Sequence, residues 1–419
     1  MGFKKRLWRK IMKNDLDVYY GLPSEVKFCK RCVYSNQKPN STIEFKHNSK
    51  TKKRTVYLDD DGICDACKYA EDKENIDWSN RENELLQLLE KYRRNDGYYD
   101  CIVPSSGGKD SAFASHIIKY KYGMNPLTIT WPPILYTDYG YRNFKNWIDI
   151  GGFDNLSFTR NGKVMKLLTK LSIENLLHPF LTFIIGQKLL APKISIKYDI
   201  PLILYGENPA EYGNAVVDNK SSLMQKYFWQ MDHLDEIYLG GVTIRELKEK
   251  YGVSMTDLMC FIPPSKDDVK NSIIDFRYLG YYLKWTPQEN YYYAVENTGF
   301  QARPFRSEGT YSKYSSFDDK IDDLHYYTHY IKFGLGRATF DSSQEIYNNH
   351  LTRDEAKALV KRFDGEFPKR YFNDVMEYLE MDPEYFHSLC DKFRSPHLWG
   401  KVNNDWKLRH TVNKDGIND

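Results

Sequence analysis

The stretch Ser105-Ser106-Gly107-Gly108-Lys109-Asp110-Ser111 decides the fold of this chain. It follows a short apolar segment, Cys101-Ile102-Val103, and opens a helical pattern that carries Phe113, Ile117 and Tyr120 on one face. Two adjacent glycines allow the backbone to turn sharply, so that several N–H groups can converge on one anion. The N-terminus of the following helix adds a positive dipole end at the same place. A strand, a Ser/Gly loop and a helix N-terminus together predict a phosphate-binding site.

The loop differs from two common phosphate-binding motifs. A Walker loop ends in Gly-Lys-Ser or Gly-Lys-Thr, whereas Lys109 is followed here by Asp110, and the loop is not GxGxxG either. Ser-Gly-Gly-Lys-Asp-Ser instead resembles the pyrophosphate loop of the ATP pyrophosphatases, a family that includes GMP synthetase, asparagine synthetase and the tRNA thiolation enzymes. The resemblance implies that ATP is split into AMP and pyrophosphate and that AMP activates a carbonyl-type oxygen. An ordinary glycine-rich turn is the alternative, which the strand before the loop and the helix after it disfavour.

Composition excludes several classes of protein. The chain has 419 residues, of which 41% are hydrophobic and 28% charged, as in a soluble globular protein of roughly two or three domains. A net charge of +3 is too small to predict nucleic acid as the main partner, and no apolar run is long enough to span a bilayer. The basic leader, residues 1–27, lacks the apolar core of a secretory signal and is either a solvated arm or a basic amphipathic helix. We therefore expect a cytoplasmic protein.

Short strands alternate with helical patterns from Asp100 onward, which predicts an α/β fold with a parallel sheet covered on both faces. The predicted strands are Cys101–Val103, Leu127–Trp131, Leu156–Phe158 and Leu202–Tyr205, and the predicted helices are 81–94, 111–122, 141–150, 163–190, 354–362 and 371–379. The predicted division is a leader over 1–27, a four-cysteine zinc-binding segment over 28–75, an ATP-binding domain over 76–220, a mostly helical substrate or partner region over 221–402 and a polar, frayed tail over 403–419.

Four of the seven cysteines form two CxxC pairs, Cys29 with Cys32 and Cys64 with Cys67. Each such turn can present two thiolates to one tetrahedral ion, so the four predict a closed, structural Zn²⁺ site. An iron–sulfur cluster is the alternative that the same ligands allow. The paired spacing suits a reducing cytosol better than disulfide bonds. The remaining cysteines are scattered and are predicted to be core residues.

Ligands of a parallel sheet bind at the carboxyl ends of its strands. The predicted ATP site comprises Ser105, Ser106, Gly107, Gly108, Lys109, Asp110, Ser111, Trp131, Gly206 and Asn208, with Asp110, Lys109 and Glu207 as the catalytic group. Asp110 is predicted to bind Mg²⁺, and Glu207 to bind Mg²⁺ or a substrate hydroxyl, because hard divalent ions prefer oxygen ligands. The alternatives are that both acids serve helix N-termini and that Trp131, here assigned to adenine, is a core residue.

The nucleophile must come from outside the chain. A fused glutaminase would need a G-x-C-x-G elbow or an N-terminal cysteine, but the chain begins Met1-Gly2-Phe3 and none of its cysteines lies in such an elbow. If ammonia is used, a separate protein supplies it. A sulfur-transfer enzyme would instead need a reactive cysteine or a cluster, and would usually carry a basic RNA-binding surface, which the small net charge does not indicate.

A wider set of motifs narrows the family. These are the CxxC…GxCxxC segment, Ser-Ser-Gly-Gly-Lys-Asp-Ser, Tyr205-Gly206-Glu207-Asn208, and a distal block formed by residues 311–314, 318–325 and 332–339. Together they span about residues 28–363 and resemble the N-acetyl sugar amidotransferase family. The resemblance implies a Rossmann-like sheet of the ATP pyrophosphatase (adenine nucleotide alpha hydrolase-like) type, with an N-terminal zinc-knuckle segment and a helical C-terminal region.

The family resemblance also implies an activity and partners. Members convert the acetamido group of a nucleotide-linked N-acetyl sugar into an acetamidino group, an ATP-dependent, carbon–nitrogen bond-forming reaction of lipopolysaccharide O-antigen and pseudaminic-acid biosynthesis. Two partners resembling the histidine-biosynthesis glutaminase and its cyclase barrel are implied as the source and channel of ammonia. The alternatives are a tRNA sulfurtransferase of the same superfamily and a zinc-bearing scaffold without activity.

The distal block is predicted to meet the sugar, with Lys313, Lys332 and Arg337 as substrate residues. Arg337 suits a carboxylate or diphosphate because a guanidinium donates two parallel hydrogen bonds. Asp318, Asp319, Asp322 and Asp323 are predicted to form a solvated helix face rather than a metal site. His325 and His329, four residues apart, are predicted to share one helix face in a core, with a second metal site as the alternative.

Overall fold

The structure, a computed structural model, describes residues 16–42, 44–214, 221–231 and 233–419. The predictions for residues 1–15 of the basic leader lie outside these ranges. Within them the strands are, in chain order, β1 Cys101–Pro104, β2 Pro126–Thr130, β3 Asn155–Ser157, β4 Leu202–Tyr205, β5 Tyr238–Leu239, β6 Val242–Thr243, β7 Asp275–Tyr278, β8 Trp399–Val402 and β9 Asp405–Leu408.

The α-helices of the same ranges are α1 Asp65–Glu74, α2 Trp78–Tyr92, α3 Lys109–His116, α4 Asp138–Asp149, α5 Gly162–Leu176, α6 Leu181–Tyr198, α7 Ile244–Tyr251, α8 Met255–Leu258, α9 Lys266–Lys270, α10 Pro287–Thr298, α11 Asp322–Phe333, α12 Arg337–Tyr347, α13 Arg353–Phe363, α14 Lys369–Leu379 and α15 Pro383–Phe393. None of these helices combines the length and apolar character needed to cross a bilayer.

A parallel sheet of five strands forms the centre of the fold, in the order β3-β2-β1-β4-β7. The predicted α/β fold is confirmed, and each of the four predicted strands lies within one residue of its observed position. The fifth strand, β7, was not predicted. Its Asp275 and Arg277 form an ion pair at 2.6 Å on the sheet edge. The strand has four residues, two of them charged, and this alternation of charged and aromatic residues is too short to be recognised as a strand in the sequence.

Both faces of the sheet are buried because alternate side chains of each strand enter different cores. Cys101 and Val103 of β1 pack with Leu85 and Leu89 of α2 on one face. Ile102 points the other way and packs in the core that α5 and α6 cover. The near-continuous apolar character of the strands in the sequence follows from this double burial.

The single helix predicted over 163–190 is two helices, α5 and α6. The chain turns at Leu177, which has a left-handed φ of 45°, and Pro179 follows two residues later. Proline disfavours helical geometry in the residue before it and has no N–H to continue the hydrogen-bond ladder. The break places His178 in a connection between the helices, where it lines a cavity described below.

The C-terminal helices pack on the junction of α5 and α6, where Phe180 meets Leu324 of α11, Val375 of α14 and Phe386 of α15. The helices predicted over 354–362 and 371–379 are confirmed as α13 and α14, and Thr352 caps the N-terminus of α13. The segment from 403 to 419 is folded rather than frayed, because β9 pairs with β8 and the side chain of Val412 is buried beside the cysteines.

Candidate active site

The Ser/Gly loop connects the end of β1 to the start of α3. Gly107 has a φ of +81°, and a Cβ there would lie 2.6 Å from Cα of Phe144, so the backbone tolerates only glycine. The Ser111 hydroxyl donates to the carbonyl of Gly108 at 3.0 Å and accepts from the backbone N–H of Ser106 at 3.2 Å. Ser111 therefore holds the loop in shape beside the cavity that the loop lines.

Two acids meet at the loop. Lys109 and Asn290 contact the carboxylate of Asp110, the latter donating from Nδ2 to Oδ1 at 3.0 Å. Burial, and next the charge of Asp110, raise the pKa of Glu207 to about 7, although Lys109 opposes the shift. Two such carboxyls favour sharing a proton unless a cation lies between them. Their oxygens fit the Mg²⁺ site predicted from the sequence, because a divalent ion would let both ionise.

A cavity of about 590 Å³ lies over the loop and the carboxyl ends of the strands. The predicted residues that line it are Ser105, Ser106, Gly107, Gly108, Lys109, Asp110, Ser111, Trp131, Gly206 and Glu207. Trp131 also stacks on Phe158 at 5.7 Å and is 5% exposed, so it is both a core residue and a wall of the cavity. Asn208 lies outside the lining: its side chain accepts from the N–H of Ala210 at 3.0 Å and begins a short 3-10 helix, Pro209–Tyr212.

The opposite wall of the cavity comes from α11 and α12. Nε of Arg337 lies 2.9 Å from Oδ1 of Asp341, and its guanidinium covers the ring of Tyr326 at 4.2 Å. His329 donates from Nδ1 to the carbonyl of Leu335 at 2.9 Å, which leaves Nε2 as an acceptor. Burial lowers the pKa of His329 to about 3, so the ring is neutral at physiological pH. The wall offers a fixed cation and a neutral imidazole to a bound substrate.

The structure brings one of the three predicted substrate residues, Arg337, to this cavity. Lys313 lines an adjoining cavity of about 290 Å³, which shares Tyr314 and Asp341 with the larger one. Lys332 does not reach either of them, and its ammonium donates to the carbonyl of Leu176 at 2.7 Å. Lys332 lies about two turns after His325 on the same side of α11, beyond the part of that helix that lines the cavity. A role in contacting the sugar is therefore not supported for Lys332.

The aspartates before and within the first turn of α11 join this wall to the sheet. The backbone N–H of Thr137 donates to the carbonyl of Asp318 at 3.0 Å, and the Asp319 carboxylate accepts from the N–H groups of Leu135 at 3.3 Å and Ile321 at 3.0 Å. Asp319 is 5% exposed, and burial raises its pKa to about 7. The prediction of a solvated acidic face is wrong, because the segment after β2 covers it.

The four paired cysteines form one buried cluster. Their sulfur atoms all lie within 4.8 Å of one another, with Cys29 and Cys67 3.8 Å apart and Cys32 and Cys64 3.6 Å apart. Tetrahedral zinc with Zn–S bonds of about 2.3 Å requires sulfurs about 3.8 Å apart, so the set fits one zinc ion. A multi-iron cluster would hold the thiolates further apart, because iron and inorganic sulfur lie between them. The closed, buried set is that of a structural metal site.

The cysteine segment also contributes to the cavity. Arg353 of α13 donates to the carbonyls of Cys29 at 3.0 Å and Cys32 at 3.1 Å, so the segment is tied to the C-terminal helices. Lys73 of α1 forms a buried ion pair at 2.8 Å with Glu211, which lies in the short 3-10 helix after β4. Lys38 lines the cavity itself. The sequence analysis missed Lys38 because no motif marks a lysine that only tertiary packing brings to the loop.

These features define an α/β protein in which the Ser/Gly loop faces a wall of C-terminal helices across one cavity. Residues 308–413 match the family described as LPS biosynthesis protein WbpG-like, C-terminal domain. This match supports the family resemblance drawn from the sequence and an involvement in LPS biosynthesis. The matched residues include α11 and α12, which form the wall opposite the loop.

A second similarity is partial. An uncharacterized protein of Methanocaldococcus jannaschii, MJ1599, is 36% identical to this chain over 87 residues. The alignment covers 20% of this chain and 29% of that protein. The chain therefore spans less than a third of that relative, and the similarity assigns no activity to this chain.

Proposed function

We propose that this protein is an ATP-dependent amidotransferase acting on a nucleotide-linked N-acetyl sugar in bacterial surface-polysaccharide or flagellin-glycan biosynthesis. The acetamido oxygen attacks the α-phosphorus of ATP, and pyrophosphate leaves. Ammonia then adds to the carbon of the O-adenylated imidate, AMP departs with the former amide oxygen, and a proton is released to solvent. The products are an acetamidino sugar, AMP and pyrophosphate. Adenylation is needed because a neutral amide is a poor electrophile with no leaving group.

The observation that carries the proposal is the shared cavity of about 590 Å³. One wall is the Ser/Gly loop, which resembles the pyrophosphate loop of the ATP pyrophosphatases. The other belongs to the WbpG-like domain and supplies Arg337 and two neutral histidines. ATP and a sugar substrate can therefore meet in one space, as the transfer of AMP to the sugar requires.

The residues of the cavity have distinct roles in the proposal. The loop N–H groups, with the N-terminus of α3, would hold the departing pyrophosphate, and Lys109 would offset its charge. Asp110 and Glu207 would bind Mg²⁺, which neutralises phosphate charge when it is bound. Lys38 and Arg337 are further cations for a diphosphate or a sugar carboxylate. Lys38 suits a ligand with several charges because burial lowers its pKa to about 8, which an anion nearby would restore.

The placement of the cysteines favours ammonia over sulfur as the nucleophile. In the described part of the chain, no cysteine lines the cavity. Burial raises the pKa of the thiol of Cys260 to about 11 and that of Cys390 to about 12, so neither is a reactive thiolate. The other thiols are buried in the metal cluster or in the sheet core. A tRNA sulfurtransferase would need a sulfur carrier at the loop.

The proposal includes partners. Ammonia would come from a separate glutaminase and a cyclase-like channel subunit resembling the histidine-biosynthesis pair. Cysteines without disulfide bonds and an ATP site suit the cytoplasm, where nucleotide sugars are made. The small net charge is in keeping with the absence of a nucleic-acid substrate.

The test is a reaction of the purified chain with ATP, Mg²⁺, ammonium chloride and a panel of acetamido nucleotide-sugars. We expect AMP, pyrophosphate and a sugar product in which mass spectrometry finds one oxygen replaced by NH. Asp110→Asn keeps the size of the side chain and should lower AMP release by about 100-fold or more. Full AMP release from that variant would contradict the role of Asp110. No AMP and no mass change with any acetamido sugar would refute the function.

A further inference from the structure

A second cavity, of about 310 Å³, lies beside α11 and is lined by Lys332 of that helix. Ser49 and Lys392 lie on its rim and are exposed, whereas His47, His178 and Lys332 lie inside. Lys332, which does not reach the reaction cavity, therefore lines this second cavity instead. No part of the proposed reaction uses this space.

The two cavities meet at a pair of imidazole rings. His178, in the connection between α5 and α6, lines the second cavity, and His325 of α11 lines the reaction cavity. Their ring centroids are 5.0 Å apart and the rings are tilted by 35°. The two rings therefore form the wall between a cavity that opens at the surface and the space over the Ser/Gly loop.

We propose that the 310 Å³ cavity is the inlet through which ammonia reaches the reaction cavity, entering it at the wall that His178 and His325 form. The inference rests on the proposed function and specifies the side from which its nucleophile arrives. ATP approaches over the loop, and the sugar lies between the loop and α11. An inlet at the junction of His178 and His325 delivers the small nucleophile through the wall opposite the loop.

The rings at the junction suit a small polar guest. Nδ1 of His178 and Nδ1 of His325 are both buried and have no hydrogen-bond partner in the described residues. Unpaired buried polar atoms are costly, so a molecule that donates or accepts a hydrogen bond between them is stabilised. Ammonia can do both and is the size of a water molecule. An apolar wall would offer it no such step.

The charge of the cavity favours ammonia over ammonium. Burial, and next the nearby Lys53, hold the pKa of Lys332 well below its usual range, and burial lowers the pKa of Lys53 itself to about 8. Burial likewise lowers the pKa of His47 to about 2. Because burial in this cavity disfavours the charged forms of these side chains, it also disfavours a bare ammonium ion. Ammonium would leave its proton in the solvent at the rim and enter as ammonia, the form with the lone pair that attacks carbon.

The experiment closes the inlet at its rim. Ser49→Trp places a large ring at the mouth, and Lys50→Trp is the matched control, because Lys50 is the next exposed residue and does not line the cavity. The full chain is assayed with ATP, Mg²⁺, a sugar that the wild-type protein converts, and increasing ammonium chloride. Amidine and AMP are measured separately, since water can hydrolyse the adenylated intermediate and release AMP without amidine.

We expect Ser49→Trp to raise the ammonium concentration for half-maximal amidine formation by about tenfold and to lower the yield of amidine per AMP. Lys50→Trp should match the wild-type protein in both. His178→Phe, which keeps the ring size and removes both nitrogens, should also raise the ammonium requirement and leave the KM for ATP unchanged. It gives a second, independent reading if the tryptophan variant folds poorly.

Equal ammonium dependence of Ser49→Trp and Lys50→Trp would overturn the inlet while leaving the proposed function intact. The inlet is equally overturned if His178→Phe has the wild-type ammonium requirement. If the wild-type protein forms no amidine from any acetamido sugar, the proposed function fails, and the inlet fails with it. The two failures are therefore told apart by the activity of the wild-type protein.

Discussion

Replacing Glu207 by glutamine should stabilise the protein in the absence of ATP and Mg²⁺, while abolishing amidine formation. Burial and the charge of Asp110 raise the pKa of Glu207 from 4.5 to about 7. The unfolded chain therefore releases this proton near pH 4.5, whereas the folded protein holds it until about pH 7. Folding stability is lost as pH rises between these values, and the full cost applies above pH 7. Glutamine has no proton to lose and removes that cost.

The size of the effect follows from the two pKa values. Each tenfold change in the proton equilibrium is worth about 1.4 kcal/mol, so the ionised carboxyl costs the folded protein about 3 kcal/mol at about pH 8. At about pH 5 the same relation gives a cost to the folded protein of less than about 1 kcal/mol. In a chain of this size, about 1 kcal/mol corresponds to at most about 2 °C in the midpoint of thermal unfolding. We expect Glu207→Gln to unfold about 5 °C above the wild-type protein at about pH 8 and close to it at about pH 5.

The assay is thermal unfolding of both proteins at the two pH values without nucleotide, with Glu296→Gln as the control. Glu296 is an exposed residue of α10, and its substitution should leave the midpoint unchanged at either pH. Adding ATP and Mg²⁺ should raise the midpoint of the wild-type protein more than that of Glu207→Gln, because the cation needs the carboxylate. A midpoint for Glu207→Gln that is unchanged at the higher pH, or raised equally at both pH values, would refute the assignment of a strained carboxyl pair.

Three further predictions follow from the geometry. Gly107→Ala should weaken ATP binding by at least about tenfold, because the new Cβ meets the Phe144 backbone in a left-handed turn. Gly108 has a φ of −68°, and a Cβ there has its closest contact at 3.4 Å, so Gly108→Ala should bind ATP nearly as the wild-type protein does. Equal affinities of the two variants would contradict the loop geometry. Cys67→Ser should lower the metal content measured by elemental analysis from one zinc per chain and reduce the unfolding midpoint, and iron in the purified wild-type protein would count against a zinc site. Lys73→Met should destabilise the protein by about 3–5 kcal/mol in denaturant unfolding, since it leaves Glu211 buried and unpaired. Lys73→Met combined with Glu211→Leu should recover most of the lost stability. No recovery would indicate that the lysine stabilises the fold by other contacts.

The sequence alone determined the parts of this protein that depend on neighbouring residues. The Ser/Gly loop, the four strands before residue 206 and the two CxxC turns are local patterns, in which a few adjacent residue types specify a backbone shape or a ligand pair. The cap of α13 by Thr352 is equally local. Such features could be placed to within a residue because little outside the segment changes their preference.

Tertiary structure alone decided what faces the loop. Lys38 and the histidines of α11 come to the cavity from segments far apart in the chain, and Lys332, further along α11, lines a second cavity. The aspartates around 318–323 have the pattern of a solvated face and are covered by the segment after β2. A helix has several faces, and which of them meets solvent, a substrate or another helix is set by long-range packing. Periodicity within the helix does not carry that information.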